Sequence, residues 1–498
     1  MKAAVVQTSI YDFYFTPRRA AALGAVSLVR ELEKIGWTVS FLNLPLMGKA
    51  RSTVLPDELD YLRPFIVTGE TGPMSWFTGY KRFGPPPEES AKKILAGEPD
   101  VIFISQFAWA YSEEVFRLAE ELKNRRSDIP VVVGGHGPSC YPEYYFRTDR
   151  ELFDLVVSGE CEGQIKNIIE TIGSESRYLD LRGRESEKSP ELVIASSTNR
   201  GKRRYFSIIL SRGCPRRCRF CSNHLCHGSS FRISSPDTWL SKITVVLKET
   251  SGSRIHLNFE DDNILFRKNE FFGLLGELKD QFPGISYSAE NGLDYLLLDT
   301  SDLSFLKNIG FSSLNLSLAV FTKKKSDDYN RSGDADKLAN LLKTAAEIGL
   351  PTTTHFISGL SGDDPEKAVQ TLKFLDALPT RVGISNFYPV PGIPGFEEKQ
   401  IFEGKSPGLA LGSSVYPWSG SLTTAQMITA FRLARWSNFR KEFERLPSRF
   451  PEVERSLYLR IHETGRLHSI VKHKGKPKII AIPNLDVTMQ QALVPCPK

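Results

Sequence analysis

The stretch SRGCPRRCRFCSNHLCHG, residues 211–228, contains four of the seven cysteines of the chain. Three of them, Cys214, Cys218 and Cys221, follow the spacing C-x-x-x-C-x-x-C. Three thiolates at this spacing can bind three corners of an iron–sulfur cubane and leave the fourth iron open. A structural zinc ion instead needs four ligands, usually from two separated pairs. The candidates to complete a zinc site in this loop are His224, Cys226 and His227. Because there is no distant second C-x-x-C, the pattern favours the cluster.

Composition and charge limit the class of protein. The 498 residues suffice for two or three domains, and 41% hydrophobic with 24% charged residues is typical of a globular chain. A net charge of +6 is mild and does not indicate a nucleic-acid partner. The N-terminal segment is too polar for a signal peptide, and we find no apolar run of about eighteen residues. With cysteines clustered in one loop, we expect a cytoplasmic protein in a reducing compartment.

The N-terminal third alternates short apolar, β-branched runs with amphipathic helical patterns. The runs are 3–7, 38–44, 101–105, 130–134 and 155–157. Strands that are apolar on both faces and separated by helices predict a parallel, doubly wound sheet of Rossmann-like type. Ligands of such sheets bind beyond the carboxyl ends of the strands. Residues 51–90 do not fit the alternation and are interpreted as an insertion in a domain spanning 1–173.

A second alternation begins near residue 205 and continues to about 400. Six strand–helix units predict a partial (β/α)6 barrel with its active site at the carboxyl ends of the strands. The cysteine loop follows the first of these strands. Residues 174–204 are polar and lack periodicity, so we interpret them as a linker. Residues 401–498 are interpreted as a small, mostly helical C-terminal domain of the α/β protein.

With these elements in order, SRGCPRRCRFC resembles the cluster loop of the radical SAM superfamily. The resemblance implies a 4Fe–4S cluster held by Cys214, Cys218 and Cys221, with Phe220 beside the cofactor. In that superfamily the open iron chelates S-adenosyl-L-methionine (SAM), and one-electron reduction cleaves SAM to a 5′-deoxyadenosyl radical. Such enzymes work anaerobically with an electron donor such as flavodoxin or ferredoxin.

The later strand ends are similar to the SAM-binding positions of that superfamily. The segments NFEDDN, SAENGLD, HFISGLSGDD and NFYPVPGIPGF follow in the expected order. Glycine in the third of these segments lets the backbone approach the adenosyl group. The positions implied as SAM contacts are Glu260, Asp261, Asn291, Gly359, Tyr388 and Val390. One departure is Ala319, where relatives with this pattern commonly carry glutamate; Ser317 is the expected substitute.

A doubly wound domain before such a barrel resembles a cobalamin-binding domain. The segments that carry this resemblance are IFISQFAW, VVVGGHGPSCYPE and LVVSGECEG, each at a strand end. The positions implied as cobalamin contacts are Ser105, Phe107, Trp109, Gly134, Gly135, His136, Gly159 and Glu160. The D-x-H-x-x-G motif is absent after the first strand, so we expect cobalamin without a histidine ligand. A core position for Trp109 and a loop hydrogen bond for His136 are the alternatives.

Together the two resemblances imply a cobalamin-dependent radical SAM methyltransferase acting on an unactivated carbon. Enzymes with the same cofactors that catalyse cyclisation, rearrangement or oxidation are the alternative, and a non-catalytic iron–sulfur sensor is a third hypothesis. No catalytic side chain is assigned. The sequence leaves the substrate open between a peptide or protein side chain and a small molecule, and it leaves Cys226 unexplained.

Overall fold

The computed structural model describes residues 1–76, 79–146, 151–183, 190–200, 203–250 and 254–494. Parts of the predicted insertion (77–78), linker (184–189, 201–202) and C-terminal domain (495–498) lie outside these ranges.

In the part of the N-terminal domain that the structure describes, there are ten strands and five α-helices. The strands are β1 (Lys2–Gln7), β2 (Ile10–Asp12), β3 (Thr38–Asn43), β4 (Arg51–Ser52), β5 (Glu70–Thr71), β6 (Lys81–Phe83), β7 (Val101–Gln106), β8 (Val131–Gly135), β9 (Leu155–Ser158) and β10 (Tyr178–Asp180). The helices are α1 (Leu23–Lys34), α2 (Pro87–Leu95), α3 (Ser112–Arg125), α4 (His136–Cys140) and α5 (Ile165–Thr171).

Six of these strands form one parallel sheet in the order β10-β9-β8-β7-β1-β3. Alternate residues of each central strand enter two separate apolar cores, with Val6 and Ile104 on one face and Val5 and Phe103 on the other. Burial on both faces is the reason that these strands are almost continuously apolar. The doubly wound parallel sheet predicted from the sequence is therefore confirmed.

The segment interpreted as a linker carries two strands instead. β10 extends the parallel sheet beyond β9, and β11 (Val193–Arg200) pairs antiparallel with the first barrel strand. Polar composition concealed both, because each is an edge strand with one neighbour and a partly exposed face.

The barrel domain continues the strand–helix alternation. Its strands are β12 (Arg203–Ile209), β13 (Ser211–Arg212), β14 (Arg232–Ile233), β15 (Arg254–Phe259), β16 (Ser286–Ser288), β17 (Leu314–Ala319), β18 (Thr352–Ser358) and β19 (Arg381–Asn386). Its helices are α6 (Asn223–His227), α7 (Trp239–Lys248), α8 (Lys268–Gln281), α9 (Thr300–Ile309), α10 (Lys323–Asp328), α11 (Ala335–Glu347) and α12 (Pro365–Asp376).

Six parallel strands of this domain form the partial barrel. β12, β15 and β16 are hydrogen-bonded neighbours, as are β17, β18 and β19. Parallel bridges from Tyr287 to Phe311 and from Leu293 to Leu316 connect the two groups. The carboxyl ends of all six strands therefore lie at one edge, where the cysteine loop begins.

The C-terminal domain consists of α13 (Thr424–Arg445), α14 (Glu452–Thr464), β20 (His468–His473), β21 (Lys476–Ala481) and α15 (Val487–Leu493). Thr423 and Gln426 form a capping box at the start of α13. β5 of the predicted insertion adds to the β20–β21 hairpin, and Arg432 binds Glu70 at 2.6 Å with both side chains fully buried. The insertion is thus anchored on the C-terminal domain.

Candidate active site

A cavity of about 550 Å³ lies between the carboxyl edge of the N-terminal sheet and the cysteine loop of the barrel. On the N-terminal side it is lined by Ser105, Phe107, Gly134, Gly135 and Gly159. On the barrel side it is lined by Cys221, Cys226, Asp261 and Asn291. The predicted ligand edges of both domains therefore face one cavity, although more than sixty residues separate them in the sequence.

The cysteine loop begins at a glycine that no other residue could replace without strain. Gly213 has a φ of +77°, and a Cβ there would lie 2.3 Å from the carbonyl oxygen of Ser230. Its N–H donates to Oδ2 of Asp262 at 2.9 Å. Further along, the N–H of Cys221 donates to the carbonyl oxygen of Cys218 at 3.0 Å. These bonds fix the loop as a compact turn.

The three predicted cluster ligands lie together in this turn. Burial raises the pKa of each thiol, and the neighbouring thiols raise the pKa of Cys221 further, to about 12. At Cys218 the positive charge of Arg331 opposes the effect of burial. Buried thiols of this kind become thiolates when metal ions bind them. The donor set therefore fits a three-cysteine cluster.

Two arginines brace the loop against the third and fourth barrel strands. Arg216 forms an ion pair with Asp294, which also accepts a hydrogen bond from Nδ2 of Asn263 at 3.0 Å. Arg331 donates to the carbonyl oxygen of Ser317 at 2.8 Å. The sequence analysis missed both arginines; the adjacent basic residues in PRRC were the available signal for Arg216.

The acidic pair predicted to contact SAM has a structural role in part. Oδ1 of Asp261 accepts hydrogen bonds from the backbone N–H groups of Leu210 and Ser211, at 2.9 and 2.7 Å. Burial raises the pKa of Asp261 to about 6. Glu260 accepts a hydrogen bond from Oγ of Ser207 at 2.5 Å. Asp261 thus holds the strand that leads into the cysteine loop, and its second oxygen is buried without a hydrogen-bond partner.

Asn291 joins the two domains at the same edge. Its Nδ2 donates to the carbonyl oxygen of Glu260 at 2.8 Å, and its Oδ1 accepts a hydrogen bond from Arg19 of the N-terminal domain. Ser317 lies close by, with its Cβ 3.5 Å from the position that a Cβ on Gly292 would occupy. Ala319 has a φ of +59°, a left-handed conformation that is uncommon outside glycine and accompanies a register shift in β17.

The remaining predicted SAM positions lie beside the cluster loop and the C-terminal domain. Gly359 has a φ of +89°, and a Cβ there would lie 2.6 Å from Sδ of Met427. The packing of α13 therefore explains this glycine without a ligand. Val390 is buried, Tyr388 is 44% exposed, and Phe220 packs near Tyr329 with ring centroids 5.9 Å apart. The roles of Ser317, Gly359, Tyr388, Val390 and Phe220 toward SAM stay predictions.

The glycines at the N-terminal edge of the cavity differ in how much space the surrounding backbone leaves for a side chain. Gly135 has a φ of +108°, and a Cβ there would lie 2.4 Å from the carbonyl oxygen of Gln106. Gly159 has a φ of +93°, with Arg182 N at 2.8 Å from such a Cβ. Gly134 would bring its Cβ into ordinary contact, 3.6 Å from the carbonyl oxygen of Val157. Backbone packing therefore requires Gly135 and Gly159 whether or not a ligand is present.

Unsatisfied polar atoms on the cavity wall indicate that a polar ligand belongs there. Within the described residues, Nε2 of Gln7, Nδ2 of Asn223 and Oδ2 of Asp261 are buried without a hydrogen-bond partner. Buried donors and acceptors normally have partners, since leaving one unsatisfied costs about 1–3 kcal/mol. A cofactor that carries amide and carboxylate groups would satisfy these atoms. The residues present therefore fit both a cobalamin and a SAM molecule.

Three predicted cobalamin contacts have other partners. Trp109 is 1% exposed and packs edge-on against Tyr144 and Phe402, so it lies in the core and not on the cavity wall. Nε2 of His136 lies 2.9 Å from Oγ of Ser222 in the cysteine loop. Glu160 reaches across the domain interface and binds His227 and Arg232.

Glu160 forms an interdomain ion-pair network. Its carboxylate accepts hydrogen bonds from Nδ1 of His227 at 2.7 Å and from both Nη atoms of Arg232 at 2.7 and 2.9 Å. Burial raises the pKa of Glu160, but these two partners outweigh burial and hold the pKa at about 2. Burial lowers the pKa of His227, and the Glu160 carboxylate outweighs it and raises that pKa. Glu160 thus connects the two halves of the cavity wall.

A polar network that the sequence analysis missed lies near the cavity. Oδ2 of Asp12 accepts a hydrogen bond from Tyr111 at 2.9 Å, and Oδ1 accepts one from Ser413 at 2.5 Å. Tyr14 is 55% exposed, and burial of its hydroxyl raises its pKa to about 12. The charge of Asp12 adds to this effect, and Tyr388 also raises the pKa of Tyr14. Only the fold brings these segments together.

Comparison with known families agrees with this geometry. Residues 82–169 match the B12 binding domain, and residues 208–375 match the Radical SAM superfamily. The chain is a radical SAM protein that carries a B12-binding domain on the N-terminal side of its barrel. It belongs to the family of cobalamin-binding-domain-containing radical SAM enzymes, whose cofactors are a 4Fe–4S cluster, SAM and cobalamin.

Individual relatives share part of the chain. The hopanoid C-3 methylase of Methylococcus capsulatus is 25% identical over 333 residues, covering 62% of this chain and 63% of the relative. The anaerobic magnesium-protoporphyrin IX monomethyl ester cyclase of Rubrivivax gelatinosus is 21% identical over 349 residues, covering 62% of this chain and 60% of the relative. The chain thus spans less than two thirds of the length of these curated relatives.

A solved structure shares the fold. The radical SAM methyltransferase TsrM from Kitasatospora setae, with cobalamin and a 4Fe–4S cluster bound, superposes with a TM-score of 0.54 at 15% identity. The match covers 86% of this chain and 85% of that chain. In the described part of this chain, no helix has the length and apolar character needed to cross a membrane.

Proposed function

We propose that this protein is a cobalamin-dependent radical SAM methyltransferase that transfers a methyl group to an unactivated carbon. One observation carries the proposal: a single cavity of about 550 Å³ joins the carboxyl edge of the N-terminal sheet to Cys221 of the cluster loop. Methyl transfer to a carbon-centred radical requires the hydrogen-abstracting group and the methyl donor to reach the same carbon. A cavity that both sites share provides this proximity.

The residues of the chain have distinct roles in this proposal. Cys214, Cys218 and Cys221 would hold the cluster, with the loop fixed by Gly213 and Asp262. Asn291 and the free oxygen of Asp261 would orient SAM at the open iron. When bound, the cluster and SAM would supply a 5′-deoxyadenosyl radical that abstracts hydrogen, and cobalamin would supply the methyl group. Glu160 and Arg232 would keep the two halves of the cavity wall at a fixed separation.

We infer that the substrate enters beside three exposed aromatic side chains, of which Phe107 lines the cavity. Tyr14, Phe107 and Tyr388 are 55%, 58% and 44% exposed, which is unusual for side chains of this size. Tyr388 and the Cys221 thiol lie close enough for their charges to interact, and Phe107 stacks on Tyr111 at 5.8 Å. Such a wall suits a substrate with an apolar or planar surface. Flavodoxin or ferredoxin is the proposed electron donor.

Product analysis tests the proposal. The full chain would be reconstituted anaerobically with iron, sulfide and cobalamin, reduced with dithionite, and given SAM with a hopanoid or a magnesium porphyrin, the substrate classes named in its relatives. Methyl transfer predicts S-adenosylhomocysteine and 5′-deoxyadenosine in comparable amounts, with a product heavier by one methylene unit. Release of S-adenosylhomocysteine before any substrate is added would test separately whether SAM methylates the bound cobalamin. Turnover that gives 5′-deoxyadenosine without S-adenosylhomocysteine would contradict methyl transfer.

A second candidate function is cyclisation or another radical rearrangement without methyl transfer. The cyclase from Rubrivivax gelatinosus covers as large a share of this chain as the methylase does. The same assay separates the two, since a cyclase predicts a product of changed hydrogen or oxygen content and no S-adenosylhomocysteine.

A further inference from the structure

A second group of sulfur and nitrogen ligands lies beside the cluster loop and has no part in the function described so far. Sγ of Cys140, Sγ of Cys226 and a ring nitrogen of His136 all lie within 4.8 Å of one another. His136 and Cys140 occupy the first and last positions of α4 in the N-terminal domain, and Cys226 lies in α6 of the barrel domain. The group therefore spans the domain interface at the wall of the cavity.

We propose that Cys140 and Cys226 form a thiol–disulfide exchange site that takes a low-molecular-weight disulfide as its oxidant. Cys226 lines the cavity and is half-buried, so a small disulfide can reach it, whereas Cys140 is buried behind it. This arrangement places one cysteine as the attacking nucleophile and the other as the resolving thiol.

The electrostatic environment supports this division of roles. A hydrogen bond from the Cys140 thiol lowers the pKa of Cys226, opposed by burial and assisted by the charge of His227. Burial raises the pKa of Cys140, and the neighbouring Cys226 adds to the increase. Cys226 is thus the thiolate of the pair and Cys140 the protonated thiol. A thiolate in contact with a second thiol is the reduced form of exchange-active cysteine pairs.

The histidine geometry favours exchange over metal binding. The backbone N–H of Trp109 donates to Nδ1 of His136 at 3.4 Å, which puts the proton of the neutral ring on Nε2. Nε2 faces Oγ of Ser222 at 2.9 Å and Sγ of Cys140 at 3.8 Å. A zinc ion at Nε2 would have to replace that proton and break the bond at Nδ1. The ring instead directs its Nε2–H toward Ser222 and Cys140, and Sγ of Cys226 lies within 4.8 Å of the ring nitrogen.

The exchange reaction balances without any further reagent. The Cys226 thiolate attacks one sulfur of the small disulfide, forms a mixed disulfide and displaces one small thiolate. The Cys140 thiol gives its proton to that thiolate and attacks Sγ of Cys226, displacing the second small thiolate. One small-molecule S–S bond breaks, one protein S–S bond forms, and two electrons pass from the cysteine pair to the oxidant. The product ties α4 of the N-terminal domain to α6 of the cluster loop.

Mass spectrometry of the reconstituted full chain tests the site. Protein that carries cluster and cobalamin would be titrated anaerobically with oxidised glutathione, alkylated with iodoacetamide and digested. We expect a cross-linked pair of peptides containing Cys140 and Cys226, lighter than their sum by two hydrogen atoms and released by dithiothreitol. Cys140→Ser should abolish the cross-link and leave glutathione attached to Cys226. Cys226→Ser should leave Cys140 reduced.

Cys161 provides the matched control, because it lines the same cavity and comes from the same domain. Cys161→Ser should keep the Cys140–Cys226 cross-link at the wild-type level, and an unchanged cluster spectrum would verify folding of each variant. The site would be overturned if Cys226 remained fully alkylatable at every glutathione ratio. One zinc ion per wild-type chain, lost in both Cys140→Ser and Cys226→Ser, would also overturn it and assign a metal site.

Discussion

The two walls of the cavity are built in different ways. The N-terminal wall presents strand ends and glycine backbone, with Ser105, Gly134 and Gly135 at the edge of a parallel sheet whose central strands are buried. The barrel wall presents thiols and carboxylates, with Cys221, Cys226, Asp261 and Asp262 among its lining residues. A backbone wall recognises a large ligand by shape, whereas a wall of ionisable side chains binds metal ions and charged groups. The two walls therefore divide the cofactors between them.

The largest expected effect is on the barrel wall. Cys218→Ala removes one of three cluster thiols, and with no fourth cysteine at this spacing we expect loss of the cluster and of all SAM cleavage. Iron per chain, visible absorbance and 5′-deoxyadenosine after anaerobic reconstitution measure both effects. Cys226→Ala is the matched control from the same loop and should keep its iron. Loss of the cluster in Cys226→Ala, with retention in Cys218→Ala, would reverse the assignment of the ligands.

The second prediction separates the glycines of the N-terminal wall. In Gly135→Ala the new Cβ would lie 2.4 Å from a backbone oxygen at a φ of +108°. We expect the free energy of unfolding to fall by about 2–4 kcal/mol, with loss of hydroxocobalamin binding. Urea denaturation and the absorbance of bound cobalamin measure the two effects separately.

Gly134→Ala is the control for that substitution, because its Cβ would make an ordinary contact at 3.6 Å. Its stability should stay within about 1 kcal/mol of the wild type, the usual cost of a substitution without a named defect. If Gly134→Ala nevertheless lost cobalamin, the ligand itself would require glycine there. Equal stability of both variants would contradict the packing explanation for Gly135.

The smallest expected effect concerns the ion pairs that connect the walls. The Glu160 pKa is held at about 2, below its ordinary value of 4.5, so its contribution to stability is complete above pH 4.5 and is lost as the pH falls toward 2. The His227 pKa is raised above 6.5, so its contribution is complete below pH 6.5 and is lost as the pH rises through the raised value. Glu160→Gln should lower the free energy of unfolding by about 1–3 kcal/mol. It should also reduce the dependence of that free energy on pH, both at low pH and near the raised pKa of His227.

The urea concentration at the unfolding midpoint, measured between pH 5 and 8.5, follows the loss of stability that the His227 titration causes. Glu162→Gln is the matched control: it removes the same charge from the same turn, and its partner, Arg212 at 3.3 Å, is not a histidine. Glu162→Gln should therefore keep the wild-type dependence of the urea midpoint on pH. If Glu160→Gln also kept the wild-type dependence of the urea midpoint on pH, the network would not stabilise the interface.

Local patterns predicted most of the architecture. Five apolar runs became the strands β1, β3, β7, β8 and β9, because central strands that are buried on both faces demand apolar residues at almost every position. The cysteine spacing predicted the cluster loop, since ligands within one turn are constrained by local geometry alone. β10 and β11 escaped prediction because edge strands tolerate the polar composition of a linker.

Contacts between distant segments could not be predicted in the same way. Trp109 was a candidate for the cavity wall, but packing against Tyr144 and Phe402 buries it in the core. Asp12, Tyr111 and Ser413 show no motif, and only the fold brings them within hydrogen-bonding distance. Glu160 was expected at a ligand, and its partners His227 and Arg232 lie about seventy residues away on another domain.

By itself the sequence determined the class of each domain and the three thiols of the cluster loop, because strand periodicity and ligand spacing are local properties of the chain. The tertiary structure decided that both ligand edges face one cavity, that Gly135 serves the packing of β7, and that Cys226 meets Cys140. These features depend on how separate elements pack against one another, and packing of distant segments is not encoded in any single stretch.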